Sequence, residues 1–205
     1  MARILIALAA LVALPQVAGA QEHRVYAGGA FTFATQTHSD EQPLGGTTIG
    51  GSALFGVRVS HRVAIECEPS FVGTLSWEYT YRPVASLLAT VVASRRDTFI
   101  PVQARLALGV VEPVIGAGVA HSTIARHATF ANGATYFDDG RSENDLALIG
   151  GLDAAFKLAS RLYLVPTFRM LVVPRAAHSS EDPLGEQTST GWFTFRYGVG
   201  ARVAF

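Results

Sequence analysis

The chain contains few of the residues that metal sites, disulfides and nucleic-acid surfaces require. Cys67 is its one cysteine, so no disulfide can form within the chain, and no group of histidines and cysteines has metal-ligand spacing. Sixteen basic residues balance sixteen acidic ones, without the positive excess of a nucleic-acid-binding protein. We therefore predict no metal, no cofactor and no nucleic-acid partner for these 205 residues.

Long apolar runs are also absent, except at the start of the sequence. There a short basic segment precedes the stretch ILIALAALVAL, which is shorter than the roughly twenty residues that cross a bilayer as a helix. The letters VAGA then supply the small residues of a signal-peptidase site. We predict a removed signal peptide at 1–20 and a mature domain at 21–205, without a lipoprotein anchor because no cysteine follows the cleavage site.

Alternation of apolar with polar or small residues recurs along the rest of the chain. Clusters of Gly, Pro, Asn and Asp interrupt this alternation, and together they predict antiparallel strands rather than helices. The connections are alternately long and short, which is typical of an up-and-down barrel with short periplasmic turns and longer outer loops. The sequence predicts an all-β, eight-stranded antiparallel transmembrane barrel with strands at about 24–35, 47–59, 63–79, 96–108, 114–126, 145–158, 161–173 and 190–205.

Sorting each predicted strand into its two faces separates charged from apolar residues. One face is predicted to be free of charge and to contact lipid, because a charged side chain at mid-depth costs roughly 2 to 4 kcal/mol. The other face is predicted to fill the lumen, since eight strands enclose a space that side chains about fill. The charged residues assigned to the lumen are Arg58, Glu66, Glu68, Glu78, Arg105, Asp145, Asp153, Lys157, Arg169, Arg196 and Arg202.

The mixed signs of these residues predict an ion-pair network that plugs the lumen. Arg58 and Glu66 lie on neighbouring strands across a short turn, and we expect them to pair. Buried charges must be paired, and one network of pairs would fix the strand register. An ion or proton path through Arg105, Asp153 and Arg169 remains an alternative.

The final letters GVGARVAF resemble the C-terminal assembly signal of bacterial outer-membrane barrels. Gly200, Val203 and Phe205 are in the expected places, whereas Gly198 stands where a polar residue is usual. The mature chain is similar in layout to the small eight-stranded OmpA/OmpX-like barrels. This resemblance implies an outer-membrane location, contact with lipid and lipopolysaccharide, insertion by the barrel-assembly machinery with periplasmic chaperones, and a monomer. The resemblance alone does not indicate an enzymatic activity.

Two further functions remain open. The first is a lipid A-modifying barrel enzyme, because His121 and Thr123 are spaced on the lipid face like the His and Ser of an outer-membrane deacylase. Thr123 is the wrong nucleophile and no carboxylate is placed to orient the imidazole, so we predict no catalytic residue. The second is a soluble periplasmic ligand-binding β-barrel, which would need a polar outer face.

The outer end of the barrel is where we expect surface binding, because strand residues are committed to lipid or lumen. Aromatic residues near the outer strand ends predict an interfacial girdle, namely Trp77, Tyr79, Phe193 and Phe195. The longer connections are predicted at 36–46, 80–95, 127–144 and 174–189. The third is the candidate surface loop, with Phe130, Tyr136, Phe137, Asp138, Asp139 and Glu143. Its acidic oxygens could hold a divalent cation, although a solvated loop is the favoured interpretation.

Overall fold

The period-two alternation of side chains produces strands throughout the part of the chain that the computed structural model describes. That part comprises residues 25–38, 46–84, 87–174 and 192–205. The predicted signal peptide at 1–20 lies outside it, as do most residues of the predicted outer loops 36–46 and 174–189. The strands are β1 Val25–His38, β2 Thr47–Arg58, β3 Val63–Cys67, β4 Ser70–Val84, β5 Leu87–Leu106, β6 Val111–Phe130, β7 Thr135–Ala154, β8 Phe156–Lys157, β9 Leu162–Val173 and β10 Trp192–Ala204.

The strand segments close into a ring. β1 pairs with both β2 and β10, so the first and last strands are joined. β3 and β4 in succession fill the place between β2 and β5, and β7 and β8 in succession pair with β9. Counting each of these two interrupted strands once, the ten segments give ten minus two, or eight, positions in the ring. The predicted eight-stranded antiparallel barrel is confirmed.

Two prolines inside strands lie opposite the two interruptions. Pro101 of β5 faces the break at Glu68 and Pro69, where its carbonyl accepts the Glu68 N–H at 3.3 Å. Pro166 of β9 faces the break at Ala155, between β7 and β8. A proline has no N–H to donate to the neighbouring strand. A break in that strand opposite the proline therefore leaves no carbonyl without its hydrogen-bond donor.

A bulge at the start of the outer half of β4 reverses its two faces. Pairing with β5 shifts between Val72 and Leu75, which inserts one extra residue in β4. Beyond it, Trp77 lies beside the buried Ala93 and Glu78 beside the exposed Val92. The prediction that Glu78 lines the lumen is therefore wrong, because one inserted residue moves every later side chain to the opposite face.

The same bulge changes the predicted aromatic girdle. Trp77 and Tyr79 pair with Ala93 and Val91, both completely buried, so they lie on the inward face of β4 rather than toward lipid. Phe193 of β10 points outward and is 36% exposed. The girdle prediction is therefore wrong for β4, where the register could not be read from the sequence alternation.

The barrel is taller on its outer side than the sequence predicts. β4 and β5 extend to Val84 and Leu87, within the predicted loop 80–95. β6 and β7 have 20 residues each and meet at the turn 131–134, in which Gly133 has a φ of 82°. The prediction of a long loop at 127–144 is therefore wrong. Above the membrane, β6 and β7 remain hydrogen-bonded to each other although their residues no longer alternate between apolar and polar.

An apolar belt surrounds the outside of the ring. Its lower edge is at the inner turns, and its upper edge is the position of Arg96 on β5. Among the described side chains that point outward between these levels, none is charged; Glu78, Arg96 and Asp138 lie at or above the upper edge. The prediction of a charge-free outward face is therefore wrong at the outer end of the barrel, where charged side chains point outward. Exposed members of the belt include Phe31, Phe55, Phe71, Ile100, Ile115 and Leu146.

No helix in the described residues has the length and apolarity to cross a bilayer.

Candidate functional site

Eight charged side chains meet inside the inner half of the ring, and we call them the ion cluster. Each is at most 4% exposed, although together they carry four positive and four negative charges. The signs therefore cancel, which is the condition under which charges can be buried at a tolerable cost. The ion cluster consists of Glu66, Glu68, Arg105, Glu112, Asp153, Arg169, Arg196 and Arg202.

Arg105 lies at the centre of the ion cluster. Its Nε and Nη2 donate to the two carboxylate oxygens of Glu66 at 2.5 and 2.9 Å, a bidentate arrangement that suits the guanidinium fork. Its Nη1 donates to Glu112 at 3.0 Å and also to Asp153. One arginine thus neutralises carboxylates from three different strands, which ties β3, β6 and β7 to β5.

Two uncharged side chains complete the coordination of the acids. The Tyr26 hydroxyl donates to Glu66. The amide of Gln103 donates to both Glu66 and Glu68 at 2.9 Å, so it bridges the two carboxylates. Each of these acids therefore accepts hydrogen bonds beyond its ion pairs, and a buried carboxylate needs such additional donors.

Strands β9 and β10 supply the other three arginines. Arg169 donates to the two carboxylate oxygens of Asp153 at 2.5 and 3.1 Å. Its Nε donates to Glu68 at 3.0 Å, and its Nη2 lies 2.9 Å from the same oxygen. Arg196 adds a bond of 3.1 Å to Glu68. Arg202 binds Glu112 at 2.8 Å and lies over the rings of two tyrosines. The pairs form one continuous chain from Arg202 to Arg196.

Seven of the eleven charged residues assigned to the lumen from sequence are brought together here, and four are not: Arg58, Glu78, Asp145 and Lys157. Arg58 does not bind Glu66: the Tyr26 ring covers Gly56, which lies opposite Glu66, and Tyr26 takes the position next to that carboxylate. Arg58 instead lies at the inner mouth of the lumen. Lys157 is exposed at the inner end of β8, outside the ion cluster. The predicted pair of Arg58 with Glu66 is wrong.

The sequence pattern did not assign three residues of this site to the lumen: Tyr26, Gln103 and Glu112. Glu112 fell in the predicted turn between strands, although it precedes the buried Val114 by two residues and therefore lies on the same face of β6. Extending the strand parity inward by two residues would have found it. Gln103 and Tyr26 carry no charge at neutral pH, and a count of charged residues cannot detect them.

An apolar layer separates the ion cluster from a second polar group nearer the outer end. Phe99, Leu171, Val72 and Ile149 belong to this layer and are each at most 3% exposed. In the second group, Arg95 donates to Asp97 at 2.8 Å and to Ser122 at 2.7 Å, and its guanidinium lies 3.4 Å from the centre of the Trp192 ring. Gln36 donates to Asp97 as well. Asp145, also assigned to the lumen, is buried at 7% exposure.

Solved structures with the same arrangement of strands are outer-membrane proteins. Two structures of Ail, the attachment invasion locus protein of Yersinia pestis, align with TM-scores of 0.54 and 0.51 at 11% and 12% identity. Each alignment covers 89% of this chain and 99% of Ail; in the second, Ail is in complex with the heparin analogue sucrose octasulfate. The outer membrane protein OprG from Pseudomonas aeruginosa aligns at 0.46 and 12% identity, over 91% of this chain and 98% of OprG.

The chain has the fold of the small eight-stranded outer-membrane β-barrels. This fold and the apolar belt are those of a protein of the outer membrane. No protein-family model matches the chain, and no curated protein matches its sequence.

The candidate surface residues of this outer-membrane barrel form an ordered hairpin, which we call the outer hairpin: residues 126–139 of β6 and β7 with their turn. Phe130, Tyr136 and Phe137 pack with ring centres 5.1 and 5.5 Å apart. Two of the acidic residues pair with arginines: Asp139 with Arg126 at 2.7 Å and, just below, Glu143 with Arg141 at 3.1 Å. The Nδ1 of His127 lies 3.8 Å from a carboxylate oxygen of Asp138. Among the described residues no group of acids and histidines is arranged to hold a metal ion.

His121 is on the outward face, just below the level of Arg96. Its Nδ1 lies 2.9 Å from the amide oxygen of Asn144, and Thr123 is 3.4 Å from the hydroxyl of Ser142. Ser122 points into the lumen, where it accepts from Arg95. An amide oxygen can orient the imidazole, but it does not supply the negative charge that stabilises an imidazolium in a hydrolase triad.

The three residues of the proposed assembly signal lie along the closing strand pair. Gly200 is opposite Ala30 of β1, and a Cβ at Gly200 would meet the Gly29 carbonyl at 2.5 Å. Val203 and Phe205 point outward at 37% and 62% exposure. The Phe205 N–H donates to the Val25 carbonyl at 2.7 Å, which extends the β1–β10 ladder to the inner edge.

Proposed function

We propose that the protein is a monomeric outer-membrane barrel with a closed lumen that displays a rigid surface outside the cell, and that it does not catalyse a reaction. The observation that carries this proposal is the ion cluster. Its arginines from β9 and β10 reach across the ring to Glu68 and Glu112, which supports a cross-section filled by side chains rather than an open pore. The apolar layer above it adds a second obstacle to ions, which would have to shed water there.

A closed lumen predicts no steady conductance. Purified barrel in planar bilayers is expected to show no open level of porin size, because the ion cluster and the apolar layer both block the axis. As a matched comparison, Phe99→Ala removes a buried ring of the apolar layer without touching the ion cluster. A stable conductance in the wild-type protein, selective for either sign of ion, would favour the alternative path through Arg105, Asp153 and Arg169.

The outer hairpin is the surface that we propose for interaction. It rises beyond the belt as paired strand, and its aromatic rings and the ion pair of Arg126 with Asp139 are held in one arrangement. A preorganised aromatic surface loses little entropy on binding. Ail was solved with a polysulfated ligand. The outer hairpin here carries Asp138 and Asp139, so we do not propose a polyanionic glycan as its ligand.

Shortening the outer hairpin tests this division between scaffold and surface. Arg126 and Asp139 are directly opposite each other, so residues 127–138 can be replaced by Asn-Gly, which makes a two-residue hairpin turn. We expect insertion and boiling-dependent gel migration to persist, while surface attachment of expressing cells falls to the level of cells without the protein. Tyr136→Ala keeps the strand pairing and removes one ring of the proposed surface, so it is expected to weaken attachment without affecting insertion. Loss of insertion would mean that the hairpin belongs to the scaffold.

The upper edge of the belt fits lipopolysaccharide, the lipid partner that we propose for this end. Arg96, Thr123 and Ser142 are in register on the outward faces of β5, β6 and β7, and Thr98, His121 and Asn144 form the next row. A cation among hydroxyl and amide groups suits sugar and phosphate head groups.

We further propose that periplasmic chaperones and the barrel-assembly machinery deliver the chain, with Gly200, Val203 and Phe205 as its assembly signal.

The absence of catalysis is part of the proposal. Its support is the environment of His121, whose described neighbours offer an amide and two hydroxyls but no carboxylate partner and no activated serine. The carboxylates of the ion cluster are not available as an acid or base, since each of them is held by arginine.

A further inference from the structure

The inner end of the barrel carries exposed cations, and no acid is exposed in the described turn segments beside them. Arg62, Lys157 and Arg161 are exposed on or next to the turns at 59–62 and 158–161. In the described segments 57–64, 105–113 and 154–164, the acidic side chain is Glu112, which is 4% exposed and held by two arginines. In these described segments of the inner rim, exposed positive charge therefore exceeds exposed negative charge.

These two turns and the turn between them in sequence, at 107–110, expose apolar side chains, which is unusual for turns that face water. Val59, Leu108, Val110 and Leu158 are 53%, 55%, 49% and 61% exposed, and Phe205 beside them is 62% exposed. Each continues the apolar belt to the level of the cations. Turns are normally built from polar residues and glycine. Apolar and cationic side chains at one level match the boundary between acyl chains and head groups, where long cationic side chains reach outward to phosphate.

Backbone hydrogen bonds hold the turns from which the cationic side chains extend. The Ser60 hydroxyl accepts from the N–H groups of Arg62 and Val63 at 3.2 and 3.0 Å. The Arg62 carbonyl accepts from Ala107 at 2.6 Å, which joins the first two turns. The Arg161 carbonyl accepts from Ala204 at 2.9 Å, which joins the third turn to the last strand. The cations are thus presented by a fixed ring rather than by mobile loops.

We propose that the inner rim binds the phosphate of anionic phospholipid head groups in the inner leaflet, with Arg62, Lys157 and Arg161 as the binding cations. The exposed apolar turn residues favour a lipid over a water-soluble polyanion of the periplasm, because only a lipid covers both groups at once. Attraction of a basic residue to an anionic surface is the expected source of selectivity. This inference rests on the outer-membrane placement proposed above.

The test uses the full barrel in nanodiscs that contain equal amounts of phosphatidylglycerol and phosphatidylcholine. After mild detergent stripping, the lipids retained by the protein are identified by native mass spectrometry. Wild-type protein is expected to retain phosphatidylglycerol about fivefold over phosphatidylcholine, roughly the effect of one cation at an anionic surface. The combined variant Arg62→Gln, Lys157→Gln and Arg161→Gln is expected to retain both lipids equally.

The matched control is Arg62→Lys with Arg161→Lys, which keeps the charge and should keep the preference. Equal retention by wild type and the glutamine variant would overturn the proposal, and so would charge-dependent capture of detergent-solubilised barrel by purified peptidoglycan. Boiling-dependent migration and protease protection in the nanodisc are read separately. If wild-type protein fails those two readouts, the outer-membrane placement itself is wrong; if it passes them without lipid preference, only the rim proposal falls. Lys157→Gln alone provides a milder variant should the triple change impair insertion.

Discussion

Arg105→Gln is expected to lower the free energy of unfolding of the inserted barrel by about 3 kcal/mol, since removal of one partner from a buried ion pair leaves uncompensated charge. Arg105 serves Glu66, Glu112 and Asp153 at once. The latter two keep other arginines, but Glu66 keeps only neutral donors. Urea unfolding in lipid vesicles, followed by tryptophan fluorescence, measures the loss.

The control for this prediction is Lys157→Gln, which removes a positive charge that is exposed and should change stability by less than about 0.5 kcal/mol. Adding Glu66→Gln to Arg105→Gln is expected to restore part of the stability, with a coupling of about 1 to 3 kcal/mol. Strict additivity of the two changes would show that the two side chains do not interact as described.

Val102→Arg is expected to destabilise the barrel by about 2 to 4 kcal/mol, because it places a charge on the lipid face near the middle of the hydrocarbon. Val102 is 54% exposed and lies midway between Arg96 and the turn at Leu108. The measurement is the same urea titration in vesicles. In a soluble barrel the same change would leave the free energy of unfolding unaltered, because an arginine exposed to water carries no desolvation cost.

Thr98→Arg is the matched control, on the same strand and face but next to the upper edge of the belt. There the expected cost is about 0 to 1 kcal/mol, since the side chain can reach the head groups. Equal costs at the two positions would show that depth in a membrane does not determine the effect. That outcome would contradict the belt assignment and favour the soluble periplasmic barrel.

The alternation of side chains was sufficient to predict the ring of eight strands and the inward orientation of most of the ion cluster. A period of two is a local property, and lipid imposes it along every strand that crosses the belt. It fails where a single extra residue intervenes, as at Gly73, where the faces of β4 reverse. It also fails above the membrane, where β6 and β7 continue as polar strands.

The partners within the lumen could not be predicted from the same pattern. Arg58 and Arg105 are both diagonal to Glu66, one on each neighbouring strand. The Tyr26 ring over Gly56 decides between them, and Tyr26 comes from a third strand. Which side chains meet in a closed ring depends on its curvature and on side-chain size, and neither is visible in the alternation of any one strand.

The ion cluster also has a consequence for the order of folding. Glu68 and Arg196 are 128 residues apart in sequence, and Arg202 and Glu112 are 90 apart. Before β10 docks, the four acids face only Arg105 and Arg169, so the unfinished ring carries four minus two, or two, uncompensated negative charges. Arg196 and Arg202 arrive together on the final strand. Closure of the ring and neutralisation of its interior are therefore one event, and an incomplete barrel retains an interior that attracts water rather than one that seals.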